Sequence, residues 1–124
     1  GEKNYVDAYI HYSKAFKNSK KQEYQIKFCL NRGVVCQKLN LLMEYGLNID
    51  KVLRMDPCHL KATYHKIKHL ILTQKYTDAI KMLKEKKDLL KSDPTAEEDI
   101  LKFMRIQQAS RENKTDWYRA IKFG

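Results

Sequence analysis

The residues here that could do chemistry are few, and their spacing decides among them. His65 and His69 stand four apart, a helical spacing that can hold zinc, but no H-E-x-x-H surrounds them and no third ligand follows. Cys29, Cys36 and Cys58 are odd in number and fit no C-x-x-C pattern, so they are expected to be reduced, buried, small hydrophobes. No paired carboxylates, nucleophile–base set or glycine-rich phosphate loop is visible. The sequence therefore points to no metal, no cofactor and no enzyme. What remains suits anion recognition. Asn31, Lys61 and His65 carry the amide, ammonium and imidazole donors that a carboxylate accepts from several sides, and Lys27, Lys38 and Lys68 would add positive potential.

Those side chains need elements to position them. The 124 residues are 43% hydrophobic, enough for the packed core of one domain. With 4 Gly and 2 Pro the chain lacks the punctuation of many short strands, which favours long helices. No apolar run approaches the ~18 residues of a membrane span, and no signal-peptide pattern opens the chain, so a cytoplasmic protein, nuclear as an alternative, is expected.

A step of 34 residues organises the sequence. It carries Asn31 to His65, Cys36 to Leu70, Leu42 to Tyr76, Tyr45 to Ala79 and Ile49 to Leu83. Every pair but the first is apolar or aromatic, and within each unit the apolar residues recur at helical spacing. Cys29, Gly33, Cys36, Tyr45, Ile49, Val52 and Pro57 follow the tetratricopeptide pattern in one unit; Thr63, Ile67, Leu70, Ala79 and Leu83 follow it in the next. The expected fold is all-α, a tetratricopeptide-repeat helical solenoid of about two and a half repeats with a C-terminal capping helix.

Helices are expected at about 5–17, 24–39, 42–55, 58–74 and 77–91, which makes 1–91 the repeat region. Ser92-Asp93-Pro94 starts a cap and tail over 92–124, with Glu97 and Glu98 in the first turn of a helix running to at least 111. Ile100, Phe103, Met104 and Ala109 are its expected buried stripe. Ala8 lies 37 residues before Tyr45, so the connection at Asn18-Ser19-Lys20-Lys21-Gln22 holds three extra residues. The first unit shows only its second helix, and Gly1 to Asn4 read as the loop before it.

Pro57-Cys58-His59-Leu60-Lys61-Ala62, with Asn31-Arg32 thirty residues before Lys61, resembles the tetratricopeptide repeat protein 4 family of co-chaperones over about residues 5–91. Arg105-Ile106-Gln107 and Arg119-Ala120-Ile121-Lys122 are also similar, more weakly. Immunophilins with a tetratricopeptide tail resemble the chain less closely. The resemblance implies binding of the acidic C-terminal peptide of heat-shock protein 90 or 70, which ends in Glu-Glu-Val-Asp. In the family five residues clamp the terminal Asp. Asn31 matches the asparagine on the third helix and Lys61 the lysine on the fifth. His65 stands where the family has arginine, and the first-helix lysine and asparagine have no counterpart in this chain. A second reading is a helical-repeat scaffold whose incomplete clamp no longer holds chaperone tails.

RNA binding is a third class, suggested by the formal net charge of +10 and the eight tyrosines. Lysine outweighs arginine, and Tyr5, Tyr12, Tyr45 and Tyr76 fall at repeat core positions, which argues against it. If His65 faces a bound carboxylate with an ordinary pKa near ~6.5, about a quarter of it is charged at pH 7, and affinity should rise as pH falls from about 7.5 to about 6.

Tyr5, Ala8, Tyr9, Tyr12, Ala15 and Phe16 give helix 5–17 more apolar surface than one neighbour covers, so the isolated chain is expected to self-associate through it. Sedimentation at rising concentration tests this. A persistent monomer whose 5–17 amides exchange as slowly as those of 58–74 would count against it.

Overall fold

The computed structural model describes the backbone of residues 1–123 and the side chains of residues 1–109. Helix takes 83% of the chain, and no strand occurs among the described residues. The order is α1 (Glu2–Asn18), α2 (Gln22–Lys38), α3 (Leu42–Met55), α4 (Leu60–Leu72), α5 (Tyr76–Glu85), α6 (Lys87–Leu90) and α7 (Pro94–Phe123). The first five helices pack each on the next, and α7 returns to lie on α4. No described helix is long and apolar enough to cross a membrane.

The 34-residue step is built into the backbone. α2 ends at Lys38 and α4 at Leu72; α3 begins at Leu42 and α5 at Tyr76. Both turns between them pass through a residue with left-handed backbone, Asn40 at φ 60° and Gln74 at φ 63°. At each turn two N–H groups fold back on the helix. Leu41 N donates to Cys36 O and Lys75 N to Leu70 O, both at 2.8 Å. Asn40 N donates to Gln37 O and Gln74 N to Ile71 O, both at 3.0 Å. These are two copies of one Schellman turn, which satisfies carbonyls that the helix end would otherwise orphan. Burial repeats as well: Cys29 and Thr63, Gly33 and Ile67, Cys36 and Leu70, Tyr45 and Ala79 are all buried.

The core has two parts. Cys29, Leu30 and Cys36 of α2 meet Tyr45, Ile49 and Val52 of α3 and Ala62 of α4, with Tyr9 and Phe16 of α1 packed alongside. Ile67, Leu70 and Ile71 of α4 meet Ala79, Leu90, Ile100 and Met104 beyond it. Gly33 eases the close approach of α2 and α3: a Cβ there would lie 3.1 Å from the Asn48 Cβ and 3.2 Å from the Ile49 Cδ1, so those side chains would have to give way slightly. Phe16 ties α1 down through two cations on its ring, the Lys51 ammonium at 4.6 Å and the Arg32 guanidinium at 5.0 Å from its centroid.

Several expectations are corrected. Glu2 to Asn4 belong to α1, with Asn4 N and Tyr5 N donating to Gly1 O, and are no loop. Tyr5 is exposed rather than a core residue. The helix expected at 77–91 breaks at Lys86 (φ −102°, ψ 16°), which lets α6 turn Leu90 inward beneath α7. In α7, Ile100 and Met104 are buried and Phe103 half-buried, whereas Ala109 is exposed because the helix has by then passed the body it packs on. Cys58 is exposed, since it stands in the turn before α4; Cys29 and Cys36 are buried. The side chains of Arg119 to Lys122 lie outside the described residues. α1 has no fully buried residue, but of the face expected to be uncovered only Tyr5 is exposed; Ala8, Tyr9, Tyr12, Ala15 and Phe16 are half-buried, because α2 and the core take up that side, and the open apolar residues of α1 are Tyr5, Val6 and Ile10.

A glutamine in the left-handed region costs roughly 1 kcal/mol that glycine avoids. Gln74→Gly should therefore raise the unfolding free energy by about 0.5–1 kcal/mol, less at Asn40→Gly because asparagine tolerates this region. Urea titration measures both, and equal gains would remove the conformational explanation.

Candidate functional site

The candidate residues lie on α2 and α4, and what fixes them is a tyrosine on the helix between. Tyr45 of α3 is fully buried and its hydroxyl reaches α4. The phenol oxygen is 2.7 Å from Nδ1 of His65, and the hydroxyl also lies 3.2 Å from the carbonyl of His65, to which it can donate. The His65 ring stands edge-on to Tyr45, with centroids 5.7 Å apart, and to Tyr64, at 5.1 Å. One turn on, His69 meets the other side of Tyr45, and its Nε2 donates to the Leu42 carbonyl at 2.9 Å. Gly46 makes that possible: a Cβ there would lie 2.7 Å from the His69 ring.

His65 is only 6% exposed. Burial pulls its pKa down to about 4, helped by the positive charges of Lys68, Lys61 and Lys38. The expectation of a partly charged His65 that replaces arginine is thereby corrected: the ring is neutral at every pH from 6 to 7.5. An arginine in its place would bury a fourth cation among three lysines and lose the Tyr45 contact. The two histidines that shared a zinc-compatible spacing are instead held by Tyr45 and by the Leu42 carbonyl.

Four of the six residues singled out by sequence come together. Lys38 at the end of α2 and Lys61 and Lys68 on α4 place their charges around His65. Lys68 is half-buried, and its ammonium lies 5.8 Å from the Tyr64 ring and 5.3 Å from the Phe103 ring. Burial and the nearby Lys38 lower its pKa, while Asp99 raises it. Asn31 is half-buried and Lys27 exposed on α2, and no interaction among the described residues joins either to this cluster. Beside Asn31, Arg32 donates from Nε to Asn48 Oδ1 at 2.7 Å, a contact internal to the α2–α3 packing.

Lys61 and His65 also line a cleft of about 690 Å³ between the start of α4 and the start of α7. Asp56, Asp93 and Asp99 line it as well. Asp93 accepts from Ala96 N at 3.3 Å and caps the start of α7, whereas Asp56 accepts from Cys58 N at 3.1 Å in the turn before α4, whose own cap is His59, with Nδ1 accepting from Ala62 N at 3.1 Å. In sequence the two Asp-Pro pairs signal punctuation only; nothing there sets their carboxylates on one cleft. Tyr45 is likewise legible as a core residue but not as the partner of His65. No protein-family model, curated protein or solved structure matches the chain.

A histidine whose folded pKa lies below its unfolded value makes stability fall with pH. Above pH 6.5 His65 is neutral in both states. Between 6.5 and about 4 the unfolded chain takes up a proton that the folded one refuses, a loss that reaches about 3 kcal/mol at the lower end. His69, also lowered by burial, acts in the same direction. Unfolding free energy should decline already between pH 6.5 and 5, and His65→Gln, which keeps a polar partner for Tyr45, should flatten that decline. An unchanged slope would assign the loss to other groups.

Proposed function

We propose that the two hairpins are tetratricopeptide repeats and that the chain is a protein-interaction module for an acidic C-terminal peptide, a role that asks no chemistry of it. The observation that carries the reading is the convergence of Lys38, Lys61 and Lys68 from two helices around a neutral, buried His65. None of these lysines has a carboxylate in ion-pair range among the described residues. Three like charges held near one another repel, and an incoming carboxylate relieves that repulsion while finding several N–H donors. The 34-residue repetition of turns and burial supports the repeat assignment.

Within this reading, the resemblance to co-chaperones suggests the C-terminal tail of heat-shock protein 90 or 70 as the ligand. Lys61 keeps its place as a clamp cation. His65 acts by giving the lysines a neutral platform rather than by carrying charge. Asn31 remains the amide donor on the preceding helix, and Lys27 a more distant source of positive potential. The competing reading, a scaffold without tail binding, draws on the missing arginine.

Fluorescence titration with a peptide ending in Glu-Glu-Val-Asp, against the same peptide amidated at its C-terminus, tests the proposal. The free acid should bind more tightly. Lys61→Ala and Lys68→Ala should each weaken it roughly 1.5- to 5-fold, as solvent-accessible ion pairs do. Affinity should be nearly flat between pH 7.5 and 6, because His65 does not titrate there. Equal binding of acid and amide would favour the scaffold, and a steep log–log salt slope with RNA would favour nucleic acid.

A further inference from the structure

Three-residue connections at 19–21 and 39–41 make α1, α2 and α3 run antiparallel, so the end of α1, the start of α2 and the end of α3 share one end of the stack. That end is basic. Lys14 and Lys17 stand on the last turns of α1, Lys20 and Lys21 in the connection, and Lys51 and Arg54 toward the end of α3. Over residues 14–24 and 51–55 the one carboxylate against these six cations is Glu23. Contacts between the helices hold the segments together. Arg32 of α2 reaches Ser13 Oγ of α1 from Nη1 at 3.5 Å, and the Phe16 ring of α1 takes both Arg32 and Lys51. Burial raises the pKa of the Cys29 thiol between them, and the charges of Arg32, Lys51 and Arg54 pull it back down.

Nothing among the described residues neutralises this cluster. The ion pair found there, Lys66–Asp50, involves none of its members. Arg32 and Lys51 are half-buried and held by a phenyl ring, and Arg32 also by Asn48 and Ser13, partners that fix a cation in place without cancelling its charge. Lys14, Lys17, Lys20, Lys21 and Arg54 are exposed. Beside them, in the first turn of α2, Tyr24 is 45% exposed, with the Lys21 ammonium 5.9 Å from its ring centroid.

The chemistry of the cluster separates its possible partners. A single phosphate or carboxylate held at one point is best met by the rigid fork of arginine, whereas ammoniums on long stems range over an area. Single-stranded nucleic acid asks for several open rings on which bases stack. Over residues 14–24 and 51–55 Tyr24 is the one exposed ring, since Phe16 is half-buried and already meets two cations. Lysines spread over several segments match an anionic field that is itself spread out and laterally mobile, as a charged bilayer is. Each lysine brought to such a surface tightens binding about five-fold. An exposed tyrosine suits the same place, because its ring and hydroxyl settle together at the level of the headgroups.

We propose that this end of the stack docks on an anionic lipid bilayer, lying on its surface with no helix crossing it. The contact uses none of the lysines around His65 and stands or falls apart from the acidic-peptide reading.

The experiment sediments the full chain with vesicles of phosphatidylcholine alone, or with about one-third phosphatidylserine, at about 50 and about 150 mM salt. Only the anionic vesicles should carry the protein down, and less so at the higher salt. Lys17→Gln, Lys20→Gln and Lys21→Gln together should weaken binding roughly ten-fold or more. Lys3→Gln, Lys75→Gln and Lys102→Gln remove the same charge at the start of α1, just before α5 and on α7, and should weaken it about three-fold at most. Tyr24→Ser should cost about two-fold or more at the higher salt, where charge is screened. Helical circular dichroism confirms that each variant folds. Equal losses in the two triple variants would reduce the attraction to net charge and overturn the proposal, as would no binding to the anionic vesicles or equal binding to both kinds. Tighter binding of a single-stranded RNA, lost in the first triple variant, would overturn it in favour of nucleic acid.

Discussion

A buried phenol hydroxyl must have a partner, and much of this molecule follows from how Tyr45 finds one. Leaving such a group unsatisfied costs about 1–3 kcal/mol, a large share of the stability of a small domain. Tyr45 is fully buried in the first turn of α3, and the polar atoms its hydroxyl meets are those of His65 on α4. That contact fixes how far α4 slides along α3. Gly46 leaves room for the His69 ring one turn later, where a Cβ would force the ring to move, and Gly33 eases the approach of α2 to α3. The three helices lock as a set.

Holding His65 for Tyr45 has an electrostatic consequence. The imidazole is drawn out of water, so it stays neutral, and of the lysines around it only Lys68 feels a carboxylate, that of Asp99, beyond ion-pair range. Burial of one polar group in the core thus shapes the field at the surface. Phe16 shows the same economy at the other end of α3, where Lys51 and Arg32 meet the face of its ring instead of a carboxylate.

The helices were legible because the sequence repeats itself. A step of 34 residues predicts that α2 and α4 stop in register and that α3 and α5 start in register, and they do. Periodicity carries this because it reports which face each helix buries. It does not report what a buried polar residue bonds to. His65 shares its repeat position with Asn31, which is half-buried, so the pattern alone makes it a surface donor. The difference comes from the preceding helix in each unit: Tyr45 of α3 presses on His65, while the residue that matches it on α1, ahead of Asn31, is Ala8, too small to make any such demand. The break at Lys86 escapes for a related reason, since Leu89 and Leu90 keep helical spacing across it. Likewise the two Asp-Pro pairs mark the end of α3 and the start of α7 correctly, and hide the fact that α7 folds back over α4 and brings Asp93 and Asp99 into one cleft with Lys61.

Charge in this chain does little to hold the fold. The one ion pair among the described residues, Lys66–Asp50 at 2.9 Å, is partly exposed on both sides and worth little in water. With a formal net charge of +10 the isolated domain repels itself slightly and attracts any acidic segment from a distance. Long-range attraction of that kind is indiscriminate: it speeds encounter with every polyanion alike, and salt removes it. Discrimination has to come at short range, from groups whose positions the core dictates. The lysines around His65 are such groups, because the Tyr45 contact with His65 holds the helix that carries Lys61 and Lys68.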